Sequence, residues 1–133
     1  MQKIKYADLN AKQKESYNFQ KVSAILADYG YTTILLADDW QGADFIAMHS
    51  SGDQFMKVQL KGRLTFHKKY EGKGLCICFP ENDVWYLYPH DETIEELKQS
   101  NNFTNSASWK EKGWYSWNKA PKAILEVLNK YII

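Results

Sequence analysis

The strongest constraint on how this chain folds lies in residues 42–61, where two apolar-rich runs flank a polar turn. Gly42-Ala43-Asp44-Phe45-Ile46-Ala47 forms the first run and Met56-Lys57-Val58-Gln59-Leu60-Lys61 the second, with Ser51-Gly52 as a two-residue turn signal between them. With Ser50 paired to Asp53, opposing residue numbers in the hairpin sum to 103. Asp44 then faces Gln59, and directly opposed residues have Cβ atoms about 5 Å apart. Lys61, two positions beyond Gln59, points the same way. The other face carries Phe45, Ala47, Met56, Val58 and Leu60, all apolar, while Ile46 and Met48 share the site-bearing face nearer the turn. A slip of one residue separates Asp44 from Gln59 and scrambles the apolar face.

The rest of the chain reads as one domain. A helix is predicted over residues 11–29, with Asn10 as N-cap, Gln13 completing a capping box and Gly30 at the C′ position. Phe19, Val22, Leu26 and Tyr29 recur at helical spacing as its buried stripe. A strand is expected over 32–37, a loop over 38–42, further strands over 64–67, 75–79 and 84–88, and a basic, glycine-containing loop over 68–74. A short helix follows over 93–100 with Asp91 as N-cap, then a polar, turn-rich stretch over 101–108. Residues 109–117 are aromatic and ambiguous. Pro121 opens a last helix to about residue 131, with Ile124, Leu125 and Leu128 inward. Helix, strands, then helices give an α+β domain around one mixed or antiparallel sheet.

Composition narrows the function classes. Hydrophobic residues make up 44% of 133, enough for a packed core, and no run approaches the roughly 20 apolar residues of a membrane span. The basic N-terminus lacks an apolar signal core, so a cytoplasmic location is expected. Cys76 and Cys78 share a strand face, cannot bridge and cannot complete a four-ligand zinc site. A net charge of +1 argues against binding nucleic acid by bulk electrostatics alone. The charge is uneven, however: Lys57, Lys61, Arg63, Lys68, Lys69 and Lys73 are opposed only by Glu71. That stripe can follow a phosphate backbone or protect a strand edge. The strand Trp85-Tyr86-Leu87-Tyr88 reads either as core or as a base-stacking platform.

The hairpin carries the chemistry. Mg²⁺, or Mn²⁺, takes hard oxygen ligands. Asp44 offers a carboxylate, Gln59 a side-chain carbonyl and Leu60 a backbone carbonyl. Lys61 can position a water and stabilise charge on a phosphate in the transition state.

Asp44 followed by Gln59-x-Lys61 on the next strand, after a helix and a strand, resembles the PD-(D/E)XK nuclease superfamily, which includes restriction endonucleases and Holliday-junction resolvases. The resemblance covers roughly residues 11–66. It implies a restriction-endonuclease-like core, an α/β/α-like sandwich with a mixed central sheet between an N-terminal helix and C-terminal helices. It implies a metal-dependent DNA endonuclease in which Asp44 and Gln59 bind metal, Lys61 assists catalysis, and Glu15 on the first helix supports the site. Lys57, Arg63, Lys68, Lys69 and Tyr70 are the candidate phosphate contacts, DNA the expected partner, and a homodimer the expected assembly for so small a domain. Three departures stand out: Ala43 where the family usually has Pro, Gln59 for the second acid, and strands rather than a helix after Lys61. The alternative is a catalytically inactive nuclease-fold module that binds nucleic acid or a protein partner.

Overall fold

In the computed structural model, which describes residues 1–100 and 103–133, the chain has a mixed α+β fold. Helix α1 (Ala11–Asp28) begins as expected. Asn10 Oδ1 accepts from the Gln13 N–H at 2.9 Å and Gln13 Oε1 accepts from the Asn10 N–H at 3.0 Å, closing the capping box. Gly30, at φ +84°, follows the helix in the left-handed conformation that glycine adopts without strain. Val22 and Leu26 are buried, but Tyr29 is 53% exposed, so the apolar stripe stops one turn early.

Five strands form the main sheet: β1 (Tyr31–Trp40), β2 (Ala43–His49), β3 (Phe55–Leu60), β5 (Leu75–Glu81) and β6 (Val84–Pro89). They lie in the order β1-β2-β3-β5-β6, antiparallel except for the parallel pair β3–β5. The hairpin register is the expected one: Phe45 pairs with Val58, Ile46 with Lys57 and Ala47 with Met56. The turn is wider, since the His49 N–H bonds to the Gln54 carbonyl at 2.9 Å while the Ser50 N–H turns away to the Gly30 carbonyl. It stays centred on Ser51-Gly52, so the pairing does not slip.

Strand β1 is longer than predicted. It runs to Trp40 with an irregularity between Leu35 and Trp40, and Trp40 pairs with Ala43. The reason is Gln41-Gly42, whose φ values of +53° and +89° make a two-residue hairpin turn where a loop was expected. The left-handed φ favours glycine at 42, and a Cβ there would sit 2.7 Å from the end of the Leu75 side chain and push it aside.

The segment after β3 departs most from a simple meander. Strand β4 (Thr65–His67) leaves the main sheet and pairs with β7 (Trp114–Ser116) in a second, two-stranded sheet. Trp117 donates its backbone N–H to the Leu64 carbonyl beside that pairing. The ambiguous stretch 109–117 thus resolves into a π-helical turn, Ser108–Lys112, and β7. Helix α2 (His90–Ser100) starts earlier than expected. Asp91 does not cap it; its Oδ2 accepts from the Gly72 N–H at 2.8 Å and pins the basic loop. Helix α3 spans Lys122–Leu128 and ends in a 3₁₀ turn, Asn129–Tyr131. Ile124 and Leu128 are buried; Leu125 is only partly so. Of the polar stretch predicted over 101–108, Asn101 and Asn102 lie outside the described residues.

Two apolar clusters hold the sheet. On one face Val22 and Leu26 of α1 pack against Phe45, Ala47, Val58 and Cys78. On the other, Ile77, Phe79, Tyr86 and Tyr88 meet Leu64, Phe66, Ile94, Leu97, Phe103 and Trp109. Tyr86 and Tyr88, 6% and 0% exposed, are core residues and not a stacking platform. The second cluster covers mainly the β5–β6 side of its face, reaching Ala43 of β2 and Leu36 of β1. Toward the β1–β2 hairpin that face is open, with Ile34, Trp40, Met48 and Phe55 exposed. Cys76 and Cys78 are free thiols, and burial raises Cys76 to about 11. Among the described residues no helix is long and apolar enough to cross a membrane.

Candidate functional site

The site lies where the open and covered halves of one sheet face meet. Alternation along β2 and β3 puts Asp44, Ile46 and Met48 on the same side as Phe55, Lys57 and Gln59, opposite the face packed on α1. Asp44 Oδ2 accepts two hydrogen bonds, from Gln59 Nε2 at 2.7 Å and from the Leu60 N–H at 2.8 Å. Gln59 Nε2 also lies 3.4 Å from the Leu60 carbonyl oxygen. The Lys61 N–H donates to the Cys78 carbonyl at 2.8 Å, which carries the β3–β5 pairing one residue past the strand and aims the side chain. Lys61 Nζ sits 5.5 Å from the centroid of the Tyr70 ring.

Burial dominates the electrostatics. It raises the Asp44 carboxyl above its usual range; the Leu60 N–H pulls the other way, the charge of Glu15 adds to the rise, Lys61 opposes it and Asp39 adds again. Burial likewise lowers the Lys61 amine, and Asp44 partly offsets this. A half-buried acid and a half-buried amine, each pushed toward its neutral form, mark a site whose charges are held against a cost to stability.

That cost gives a direct expectation. A carboxyl raised in the folded state contributes stability below the ordinary carboxylate range and loses it as pH rises through its own raised pKa. Asp44→Asn mimics the neutral form, and its carbonyl oxygen can accept both hydrogen bonds. In metal-free buffer at neutral pH the variant is therefore expected to melt a few degrees above wild type, with the gap closing at acid pH. Thermal unfolding at the two pH values checks this, and a lower melting temperature at neutral pH would contradict it.

The predicted residues divide clearly. Asp44, Gln59, Leu60 and Lys61 come together. Glu15 lies on α1, which covers the opposite sheet face; it is exposed at the helix start and pairs with Lys12 at 3.4 Å, reaching Asp44 only through its charge. Lys57 shares the site face, its Nζ 5.7 Å from the Trp40 ring centroid. Arg63 donates to Asn118 Oδ1. Lys68 folds back over Trp109 at 5.3 Å. Lys69 lies 5.1 Å from the Tyr70 ring centroid. Tyr70 is 2% exposed, so its ring is a core element that carries two lysines and is not held out to a phosphate. Spacing alone gives His67 no partner and leaves Trp114 in an ambiguous aromatic stretch; the β4–β7 pairing sets the two opposite each other beside Lys61. Nothing local in the sequence signals that pairing.

The donors suit a hard divalent cation in kind. The Gln59 amide points its electropositive end between two oxygens, Asp44 Oδ2 and the Leu60 carbonyl. The amide's nitrogen and oxygen exchange by a half-turn about the last side-chain bond. Turned, the three groups offer three oxygens to one point. The charge is sparse: among the described residues no three His, Cys, Asp or Glu side chains cluster as a metal site. Three oxygens with a single carboxylate could hold only a cation that keeps several waters, as Mg²⁺ does.

No protein-family model matches the chain. No curated protein matches it. Among solved structures it is similar to Hjc of Archaeoglobus fulgidus, a Holliday junction resolvase from an archaeal hyperthermophile, with 14% identity over 57% of this chain and 72% of that one and a TM-score of 0.44.

Proposed function

We propose that the protein is a metal-dependent DNA endonuclease of PD-(D/E)XK type, hydrolysing phosphodiesters at Asp44, Gln59 and Lys61. The observation that supports this best is the convergence of an acid, an amide and a half-buried amine on one patch of adjoining strands. A divalent cation held by Asp44, the Leu60 carbonyl and the turned Gln59 amide would neutralise phosphate charge and acidify a water. Lys61 donates to a non-bridging phosphate oxygen from a half-buried position that strengthens that bond. Glu15 adds negative potential without touching the centre. Lys57, Arg63, Lys68 and Lys69 carry the flanking phosphates. A homodimer fits the open apolar surface of Ile34, Trp40, Met48 and Phe55.

The test is incubation with plasmid, linear and branched DNA, with Mg²⁺ or Mn²⁺ and with EDTA. Cleavage of at least one substrate, abolished by EDTA, is expected; intact DNA in every lane sinks the proposal.

One observation favours the second reading, a non-catalytic module. The Gln59 amide already satisfies Asp44 without a cation. Gln59→Glu separates the two readings. In a metal site the added carboxylate is expected to tighten Mn²⁺ binding at least tenfold, read by calorimetric titration. Without a metal site it sets two carboxylates against each other and only lowers stability.

A further inference from the structure

We propose that the cleft between the turn after β3 and the β4–β7 sheet is a nucleotide subsite, with Lys61, Arg63 and His67 holding a phosphate and Trp114 stacking an unpaired base. The inference deepens the nuclease reading, since it names the strand path leading from the same site. The cleft has a volume of about 570 Å³ and is lined by Lys61, Arg63, Thr65, His67, Trp114 and Ser116. A neighbouring cleft of about 370 Å³ shares Arg63, Trp114 and Ser116. Each falls within the usual range of small-ligand sites, about 300–1,000 Å³. Among the described residues no acidic side chain lines either one. The chemistry is that of an anion's site with an aromatic wall.

The second sheet builds this wall. Register sets Thr65 opposite Ser116, Phe66 opposite Tyr115 and His67 opposite Trp114. Phe66 is fully buried, so alternation turns Thr65, His67, Ser116 and Trp114 outward together, onto the cleft. Trp109, Tyr115 and Trp117 join the core cluster, whereas Trp114 does not and remains 38% exposed. Its backbone carbonyl accepts from Ser108 Oγ at 2.9 Å, which steadies the residue while leaving the ring open.

His67 is prepared to donate. Its Nδ1 accepts from the Lys69 N–H at 3.1 Å, so the proton of the neutral ring resides on Nε2. Among the described residues Nε2 has no partner, and the ring lines the cleft. Burial, then Lys69, Lys61 and His90, lower its pKa and keep the ring neutral. A neutral N–H donor beside two cations contacts a phosphate without adding a further charge to the cleft. Lys61 stands at the inner end, so a phosphate held here adjoins the one placed at Asp44. The departure of β4 from the main sheet to pair with β7 is what creates this subsite. A base on Trp114 must be unstacked from its neighbours, which selects single-stranded or junction-proximal nucleotides over uninterrupted duplex.

Fluorescence anisotropy of a labelled single-stranded DNA dodecamer in EDTA tests this. Trp114→Ala is expected to weaken binding about tenfold, and Trp114→Phe to keep most of it. His67→Ala is expected to lose several-fold and His67→Gln, which retains an N–H donor, to recover it. Arg63→Ala is expected to reduce the salt slope by about one. Lys21→Ala, an equal charge change on the exposed side of α1, should leave affinity within twofold. Binding by Trp114→Ala and Arg63→Ala that equals wild type overturns the subsite, as does a wild-type protein that fails to bind. Cleavage by the same preparations with Mn²⁺ is scored separately. Wild-type cleavage with cleft-independent binding rejects the subsite alone, whereas cleft-dependent binding without cleavage supports the subsite and rejects hydrolysis.

Discussion

Lys61→Ala is expected to lower metal-supported DNA cleavage by about 10²–10³-fold, the range seen when one donor to a developing anionic charge is removed. The amine is half-buried, and its Nζ sits 5.5 Å from the centroid of the Tyr70 ring. Its backbone is tied to the Cys78 carbonyl, an attachment that survives truncation of the side chain. The fold should therefore remain, and stability should change little, because burial already disfavours the charged amine. Lys61→Arg is not expected to rescue activity, since a planar fork cannot take the position of a compact ammonium beside Tyr70. Single-turnover cleavage rates read beside thermal melts separate lost chemistry from lost structure. A rate within threefold of wild type would remove Lys61 from the mechanism.

The largest stability effect is expected at Phe66. Its side chain is fully buried, and its ring meets Tyr88 at 5.4 Å, His90 at 6.0 Å, Phe103 at 5.2 Å and Trp117 at 6.2 Å between centroids. These partners come from β6, α2 and the C-terminal aromatic stretch, so one ring ties the small sheet to the large one. Phe66→Ala removes those contacts and leaves a cavity, at a cost of about 3–5 kcal/mol. Against a typical total of about 5–15 kcal/mol, that unfolds a marginal domain or nearly so. Urea denaturation measures it, and Phe66→Leu should recover much of the loss. A cost below about 1 kcal/mol would mean that the C-terminal stretch docks without this ring.

What could be read from the sequence follows the range of the interactions. The capping box at Asn10 and Gln13 is local, and it forms as written. The hairpin register holds although the turn is wider than two residues, because burial of Phe45, Ala47 and Val58 forbids a slip. That pairing is what brings Gln59 to Asp44. Long-range pairings left no trace. Residues 65–67 look like one more strand of the main sheet, yet they pair with 114–116. Nothing in the order of residues therefore brings His67 to Trp114. Asp91 has the composition of a helix cap, but the Gly72 N–H claims its carboxylate, a contact across the fold. The resemblance puts Glu15 at the site, whereas near the helix start it stays exposed, pairs with Lys12 and reaches Asp44 only through its charge. Tyr70 sits in a basic loop, and its enclosure comes from residues distant in sequence, Gly42 and His90 among them.

Asp44→Asn tests the central claim most directly, because one substitution separates folding from chemistry. The expected result is a protein at least as stable as wild type in metal-free buffer that fails to cleave DNA with Mn²⁺ and gains no thermal stability from the metal. Cleavage by Asp44→Asn at the wild-type rate would contradict the placement of the hydrolytic centre on this hairpin.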